Sequence, residues 1–383
     1  MEGPAVGGVT GPKSQERSAL LIDELACVNV RGRVMACAAC LDACDGQALS
    51  LSLDGIGLDA ARCAACGACV PNCPAGALRL PGFSPKGFLH SLGRQPAVQL
   101  HCSDSCDSGN AVRIPCHRLL DARLLAAAYA EGTVSFQLHG HDQCAHCPMG
   151  DATGQISLLQ KTLQAWFGQQ APSVIFAPGN RDEEKEERQQ RDRSIRSRRD
   201  FLRGAGLRAT AGAAALLLPS VKAHDNEFGA SPPYPADLDR GRPAAYQALL
   251  LEHAADLPWR QLPWTTRSIA AACTACLACG QRCPTGALGA WSGATTRGID
   301  FDPGLCTSCG LCEQICPEQA IRVGDATSLS EVLSGRAPLV TRPVGSCSAC
   351  QRAYVPGADA SELCPACEKE RALKKEWLGL LGR

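Results

Sequence analysis

CTACLACGQRCPTGAL at 273–288 and CTSCGLCEQICPEQAIRV at 306–323 are the stretches that decide the reading of this chain. Each runs Cys-x2-Cys-x2-Cys-x3-Cys-Pro into a short apolar strand, and 22 residues separate Cys283 from Cys306. A [4Fe–4S] cube offers four iron corners. A tight loop can wrap three of them with the first three thiolates, and the fourth cysteine follows on a short helix. The small Gly, Ala and Thr residues between the ligands let backbone amides approach the sulfurs, and such hydrogen bonds help set a potential. Zinc knuckles do not run four cysteines into Cys-Pro twice over.

Block 265–323 closely resembles the bacterial two-cluster ferredoxin family. In that family the fourth cysteine of each motif ligates the other cluster. The resemblance therefore implies one cluster on Cys273, Cys276, Cys279 and Cys316, and a neighbour on Cys306, Cys309, Cys312 and Cys283. Block 23–80 resembles the same family. Its second half, CAACGACVPNCPAGALRL (63–80), is regular, but its first half departs from the pattern. Cys37, Cys40 and Cys44 keep the tail spacing, Val34 stands where a first cysteine belongs, and Asp45 replaces the proline. The nearest substitute is Cys27, set back by the loop ACVNVRGRVMAC. The implied sets are Cys27, Cys37, Cys40 and Cys73, then Cys63, Cys66, Cys69 and Cys44. If Cys27 is instead a buried structural thiol, its site holds a three-iron cluster or none. The two eight-cysteine blocks make the chain an internal repeat.

Composition agrees. The chain has 383 residues, a prior of two to three domains. Lys plus Arg and Asp plus Glu are 38 each, so no excess of positive charge marks a nucleic-acid face. Aromatics are only 4%, which argues against a large aromatic core and for some other staple. The 25 cysteines are that staple. Almost all fall in Cys-x2-Cys or Cys-x3-Cys units, the spacing of metal and cluster ligation rather than of a disulfide framework.

Residues 96–180 read as a small parallel α/β layer. Short β-rich runs (VQL, VRI, VSF, SVIFAP) alternate with helical stretches such as LLDARLLAAAY and ISLLQKTLQAWFG. Sites in such sheets form beyond the carboxyl ends of the strands, which is where Cys102, Cys106, Cys116, Cys144 and Cys147 fall. The block is similar to the iron–sulfur (delta) subunit family of methyl-viologen-reducing hydrogenases, through its Ile-Pro-Cys step, the helix after it and the cysteine loop after the next strand. A [2Fe–2S] cluster is what that similarity implies, with zinc as the rival. His139 stands where the family pattern has cysteine, and His101, His117, His141 and His146 read as polar loop residues. At the C-terminus, CSACQRAYVPGADASELCPACEK places Cys347, Cys350, Cys364 and Cys367 as two knuckles of zinc-ribbon type. Rubredoxin iron uses the same four sulfurs, but there glycine usually follows the second cysteine of a knuckle, and here Gln351 and Glu368 stand at those places. The tail EKERALKKEWLGLL reads as a helix suited to docking a partner.

The expected fold class is α+β: two two-cluster modules (23–80 and 265–323), the α/β domain (96–180) and the zinc-ribbon-like domain (343–383). The tail 1–22 reads as disordered, and the charged run 181–198 and the Pro-rich connector 224–264 read as linkers. Between them, RSRRDFLRGAGLRATAGAAALLLPSVKA (196–223) resembles a twin-arginine export signal. At mid-chain it reads as the seam of a gene fusion, with a working internal signal and an ordinary helix over 204–218 as alternatives. The expected location is the cytoplasm, with membrane-associated or periplasmic placement as the alternative. No run reaches the ~18 apolar residues of a membrane span.

No phosphate-cradling glycine loop, nucleophile elbow or acid–base pair is present. The expected function is electron transfer through four [4Fe–4S] clusters, as a subunit or partner of a larger oxidoreductase such as a dehydrogenase, reductase or hydrogenase. The alternatives are an accessory or maturation factor and an enzyme with its site in the α/β block.

Overall fold

The computed structural model describes residues 20–103, 111–140, 144, 147, 150–177, 241–356 and 361–381. Cys106, His141, His146, most of the tail 1–22, the charged run, the export-like segment and residues 224–240 lie outside the described residues.

The first cysteine-rich module begins slightly before its expected boundary, with β1 (Leu21–Ile22). It continues through α1 (Val28–Gly32), α2 (Ala39–Asp42), β2 (Leu49–Leu51), β3 (Ile56–Leu58), α3 (Cys69–Asn72) and β4 (Leu78–Arg79). β1 and β4 pair antiparallel with Ile22 opposite Leu78, and β2 and β3 form a hairpin with Leu49 opposite Leu58. The hairpin turns at Asp54-Gly55, where the Gly55 and Asp54 amides donate to Ser52 Oγ.

After α4 (Pro85–Leu92), which Ser84 caps at Gly87 N, the chain enters the α/β layer. Its elements are β5 (Ala97–Cys102), β6 (Val112–Ile114), α5 (Ala122–Ala130), β7 (Ser135–His139), α6 (Thr153–Phe167) and β8 (Ser173–Phe176). The sheet order is β6-β5-β7-β8 and every pair is parallel, so all four carboxyl ends share one edge. α5 between β6 and β7 and α6 between β7 and β8 supply the crossovers that parallel strands need.

The connector 224–264 departs from its reading as a linker. Over its described part it forms α7 (Ala245–Glu252), with Tyr246, Leu249 and Leu250 buried. The scarce aromatics gather here: Trp166 and Phe167 of α6 meet Trp259, which meets Trp264, at ring separations of 5.0–5.9 Å. Pro and Gly at 241–243 give a loop signal, but the apolar run after them supplies the buried face. Gly241 is required by a close approach, since a Cβ there would lie 2.3 Å from the Cys283 carbonyl oxygen.

The second module repeats the first. It consists of β9 (Thr265–Ile269), α8 (Ala278–Arg282), β10 (Leu288–Ser292), β11 (Thr296–Phe301), α9 (Leu311–Gln314) and β12 (Ile321–Ala326). β9 pairs with β12 and β10 with β11. α10 (Leu329–Ser334), held by a Ser328–Glu331 capping box, leads to β13 (Ala337–Pro343), which adds to β11. The chain ends in the hairpin β14 (Gly345–Ser346) and β15 (Ala353–Tyr354), then α11 (Pro365–Leu381).

One apolar core runs from the first module through the α/β layer to α7, and a second fills the other module. A small seam of Val28, Ala75 and Leu311 joins the modules directly. Among the described residues no helix is long and apolar enough to cross a membrane.

Candidate metal centres

The cysteine motifs shape their loops by backbone conformation. After the last cysteine of each motif a three-residue turn closes on its carbonyl, and the turn's final residue takes positive φ: Gln47, Gly76, Gly286 and Gln319. The next amides then face the sulfur. Ala48 N donates to Cys44 Sγ at 3.3 Å, Ala77 N to Cys73 Sγ at 3.2 Å and Ala320 N to Cys316 Sγ at 3.3 Å, while Leu288 N reaches Cys283 Sγ at 3.5 Å. Such donors favour the charged thiolate. The regular Cys-x2-Cys-x2-Cys loops also bend twice through positive φ, at Ala65 and Gly67, Ala275 and Leu277, and Ser308 and Gly310.

These turns bring the thiols into four groups. Cys44, Cys63, Cys66 and Cys69 line one cavity, Cys273, Cys276, Cys279 and Cys316 a second, and Cys283, Cys306, Cys309 and Cys312 a third. In the fourth group, burial pushes the Cys40 thiol up to about 12, with Cys73, Cys37 and Cys27 adding to the rise. Each group thus takes its remote cysteine from the other motif of its own module. Burial also lifts Cys69, Cys279 and Cys309 to about 12 and Cys312 to about 11. Buried thiols of this kind stay protonated until a bound cation replaces the proton.

The irregular motif is held by a residue that sequence reasoning missed. Cys27 is the N-cap of α1 and its carbonyl accepts from Arg31 N at 2.9 Å. Asn29, fully buried, accepts from the amides of Ala36 and Cys37 at 2.9 Å each and donates to the Cys37 carbonyl at 2.8 Å. Its side chain staples the inserted turn to the start of the regular loop. The available signal was an Asn among the apolar residues of the inserted loop.

The departure at Asp45 also has a partner. Arg118 donates to both Asp45 oxygens, at 2.7 and 2.9 Å, and to the Ala43 carbonyl at 3.0 Å. Arg118 follows Cys116 by two residues, so the pair ties the first module to the cysteine edge of the α/β layer. At that edge Cys102 ends β5, Cys116 follows β6, and Cys144 and Cys147 follow β7. Burial pushes Cys116 up to about 12, with added push from Cys66, Cys102 and Cys144. Cys144 is raised by burial first, then also by Cys102 and Cys147. The structure therefore gathers four of the five expected cysteines, and Cys106 lies outside the described residues. His101 and His139, opposite each other on β5 and β7, stack at 4.7 Å.

Cys347, Cys350, Cys364 and Cys367 are arranged differently. Their sulfurs all lie within 4.8 Å of one another, and Cys350 and Cys364 are 3.7 Å apart. Four sulfurs at about 2.3 Å from one tetrahedral ion would stand about 3.8 Å apart. Hydrogen bonds from the Cys364 and Cys350 amides bring the Cys347 thiol down to about 6, while sharing protons with Cys364 and Cys350 takes Cys367 up to about 12. Gln351 takes φ +60, the conformation for which glycine is the usual choice. Among the described residues no other three Cys, His, Asp or Glu ligand atoms converge so closely. A lone ion therefore fits the C-terminal set, whereas the wider sets suit a cluster that brings its own iron atoms. All described cysteines are free thiols.

Residues 299–322, which carry Cys306, Cys309, Cys312 and Cys316, match the 4Fe-4S binding domain family. The chain thus contains an iron–sulfur segment of the [4Fe–4S] type. No curated protein matches the chain.

Proposed function

We propose that the protein transfers electrons through four [4Fe–4S] clusters, as a subunit or partner of a larger oxidoreductase. The ligand sets are Cys27, Cys37, Cys40 and Cys73; Cys44, Cys63, Cys66 and Cys69; Cys273, Cys276, Cys279 and Cys316; and Cys283, Cys306, Cys309 and Cys312. The observation that carries the reading is the contiguity of these sets. Cys69 feels Cys40 across the first module, and Cys279 feels Cys312 across the second. Between the modules, the Val28–Ala75–Leu311 seam packs against Cys37 and Cys73 on one side and Cys309 on the other.

A bound cube supplies one-electron redox chemistry. The chain's own part is to hold the thiolates, direct amides at them and exclude water. At the seam, Gly32 lets α1 close on Leu311, because a Cβ there would meet Leu311 Cδ1 at 2.3 Å. Beside it Arg31 Nε donates to the Arg282 carbonyl at 3.2 Å, and Arg282 Nη1 returns the bond to the Arg31 carbonyl at 2.6 Å. This reciprocal pair keeps the modules in one register.

The set at the α/β edge extends the series, since Cys116 feels Cys66, and its open spacing favours [2Fe–2S] over zinc. The C-terminal set is a structural zinc site, with α11 presenting Leu373, Trp377 and Leu378 to a redox partner. The working compartment is the cytoplasm, and the export-like segment is a fusion seam.

Iron, sulfide and zinc analysis of anaerobically purified chain tests the assignment. About eighteen irons, sixteen from the four cubes and two from the α/β edge set, with one zinc, is the expected result. Clusters that fail to cycle in an EPR-monitored redox titration would instead favour an accessory role.

A further inference from the structure

The two modules can be superposed by register. In the first, Ile22 faces Leu78, five residues after Cys73; in the second, Ile269 faces Ile321, five residues after Cys316. Two positions before these partners stand Leu20 and Arg267. Leu20 lines the cavity of Cys44, Cys63, Cys66 and Cys69, and Arg267 lines that of Cys283, Cys306, Cys309 and Cys312. A buried leucine in one module therefore occupies the place of a buried arginine, 4% exposed, in the other.

The leucine-bearing module does not lack a cation. Arg118 lines the same cavity as Leu20, although it comes from the turn after Cys116 in the α/β layer. Its side chain is 8% exposed, and Gln155 Nε2 fixes its backbone by donating to the Arg118 carbonyl at 2.7 Å. Each arginine stands in the wall of one cavity together with its four thiols, Arg118 with Cys44, Cys63, Cys66 and Cys69, and Arg267 with Cys283, Cys306, Cys309 and Cys312. The surroundings differ in one respect. Arg118 is bidentate to Asp45, whereas Arg267 Nε is buried with no hydrogen-bond partner among the described residues.

We propose that Arg118 and Arg267 are equivalent potential-setting residues, one per module. Arg267, from the module's own first strand, serves the Cys283/306/309/312 site. Arg118, delivered by the α/β layer, serves the Cys44/63/66/69 site, which that layer does not ligate. This rests on the [4Fe–4S] reading of both sites. Reduction adds one negative charge to a site, and a fixed cation in a poorly solvated pocket stabilises that charge and raises the potential. Asp45 opposes the effect in the first module. Docking of the α/β layer is thereby a condition for the potential of the first module's second site.

The test is an EPR-monitored redox titration of the full-length holoprotein with iron analysis, for wild type, Arg118→Gln, Arg118→Lys, Arg267→Gln and Asp45→Asn. With iron content unchanged, Arg118→Gln and Arg267→Gln should each make one [4Fe–4S] signal harder to reduce. The two signals should differ. The ratio of oxidised to reduced form at fixed potential should shift about tenfold, or about 59 mV for a one-electron couple. Arg118→Lys should restore the signal. Asp45→Asn, a change at a half-exposed side chain, should move the Arg118 signal the opposite way. Two glutamine variants that move the same signal, or midpoints unmoved at full iron content, would overturn the proposal. If Arg118→Gln loses iron, Asp45→Asn decides, because an unmoved midpoint there overturns it equally. Wild type well short of about sixteen irons defeats the four-cube reading itself, and the proposal with it.

Discussion

In the second module Cys273 opens a regular loop that bends through positive φ at Ala275 and Leu277. In the first, Cys27 stands ten residues ahead of Cys37 and joins its group from the N-cap of α1, while Ala38 keeps φ at −126. One module thus shapes its first loop by backbone strain, the other by an inserted turn stapled with Asn29. The same contrast recurs at the second sites, where Pro284 and Arg267 in one module answer to Asp45 and Leu20 in the other, with Arg118 brought in from outside. A shared topology leaves the thiol groups alike and moves the supporting interactions elsewhere in the chain.

Equivalence of Cys27 and Cys273 is the most exposed part of this comparison. Cys27→Ser and Cys273→Ser should each cost about four of about eighteen irons, read by iron and sulfide analysis. Full iron content in the Cys27 variant, or a three-iron EPR signal already present in the wild type, would break it. Leu311→Ala should be next in size. It empties the seam that both modules share, and a cavity there should destabilise by about 2–5 kcal/mol, measured by denaturant unfolding. A loss confined to the second module's clusters would show that the modules stand independently.

Asn29→Ala should cost about 2–4 kcal/mol, because two half-buried amides lose their acceptor. The readout is unfolding together with the rate of iron loss to a chelator, which should rise for the Cys27 set first. The smallest effects come from glycine. Ser308→Gly, at φ 54 on an exposed loop, should stabilise by about 0.5–1 kcal/mol. Ala38→Gly, at negative φ, should destabilise by a similar amount. Equal signs for the two would erase the distinction between strained and stapled loops.

Much of the architecture was legible because it is local. Cys-x2-Cys spacing and a following apolar strand imply loop, turn and ladder within a few residues, and strand–helix alternation implies a parallel sheet. The connector was misread for the opposite reason. Its Pro and Gly residues at 241–243 signal a loop, while Tyr246 is buried against a partner more than a hundred residues away, the Leu119 carbonyl that its Oη reaches at 3.3 Å, and Trp264 Nε1 donates to the Gly304 carbonyl 40 residues on. Asp45 was visible as a departure, but its reason lies at Arg118, 73 residues on.

The sequence by itself determined the local chemistry of this protein: that its cysteines fall in ligand-spaced motifs, that one of these motifs has the pattern of a 4Fe-4S binding segment, and that four further cysteines form a knuckle pair. Ligand spacing is a property of short chain segments, so it survives without a fold. Only the tertiary structure decided the order of the groups, the seam that joins the modules, and which charge stands beside which site. Those depend on surfaces from distant segments meeting, and burial and electrostatics act through space rather than along the chain.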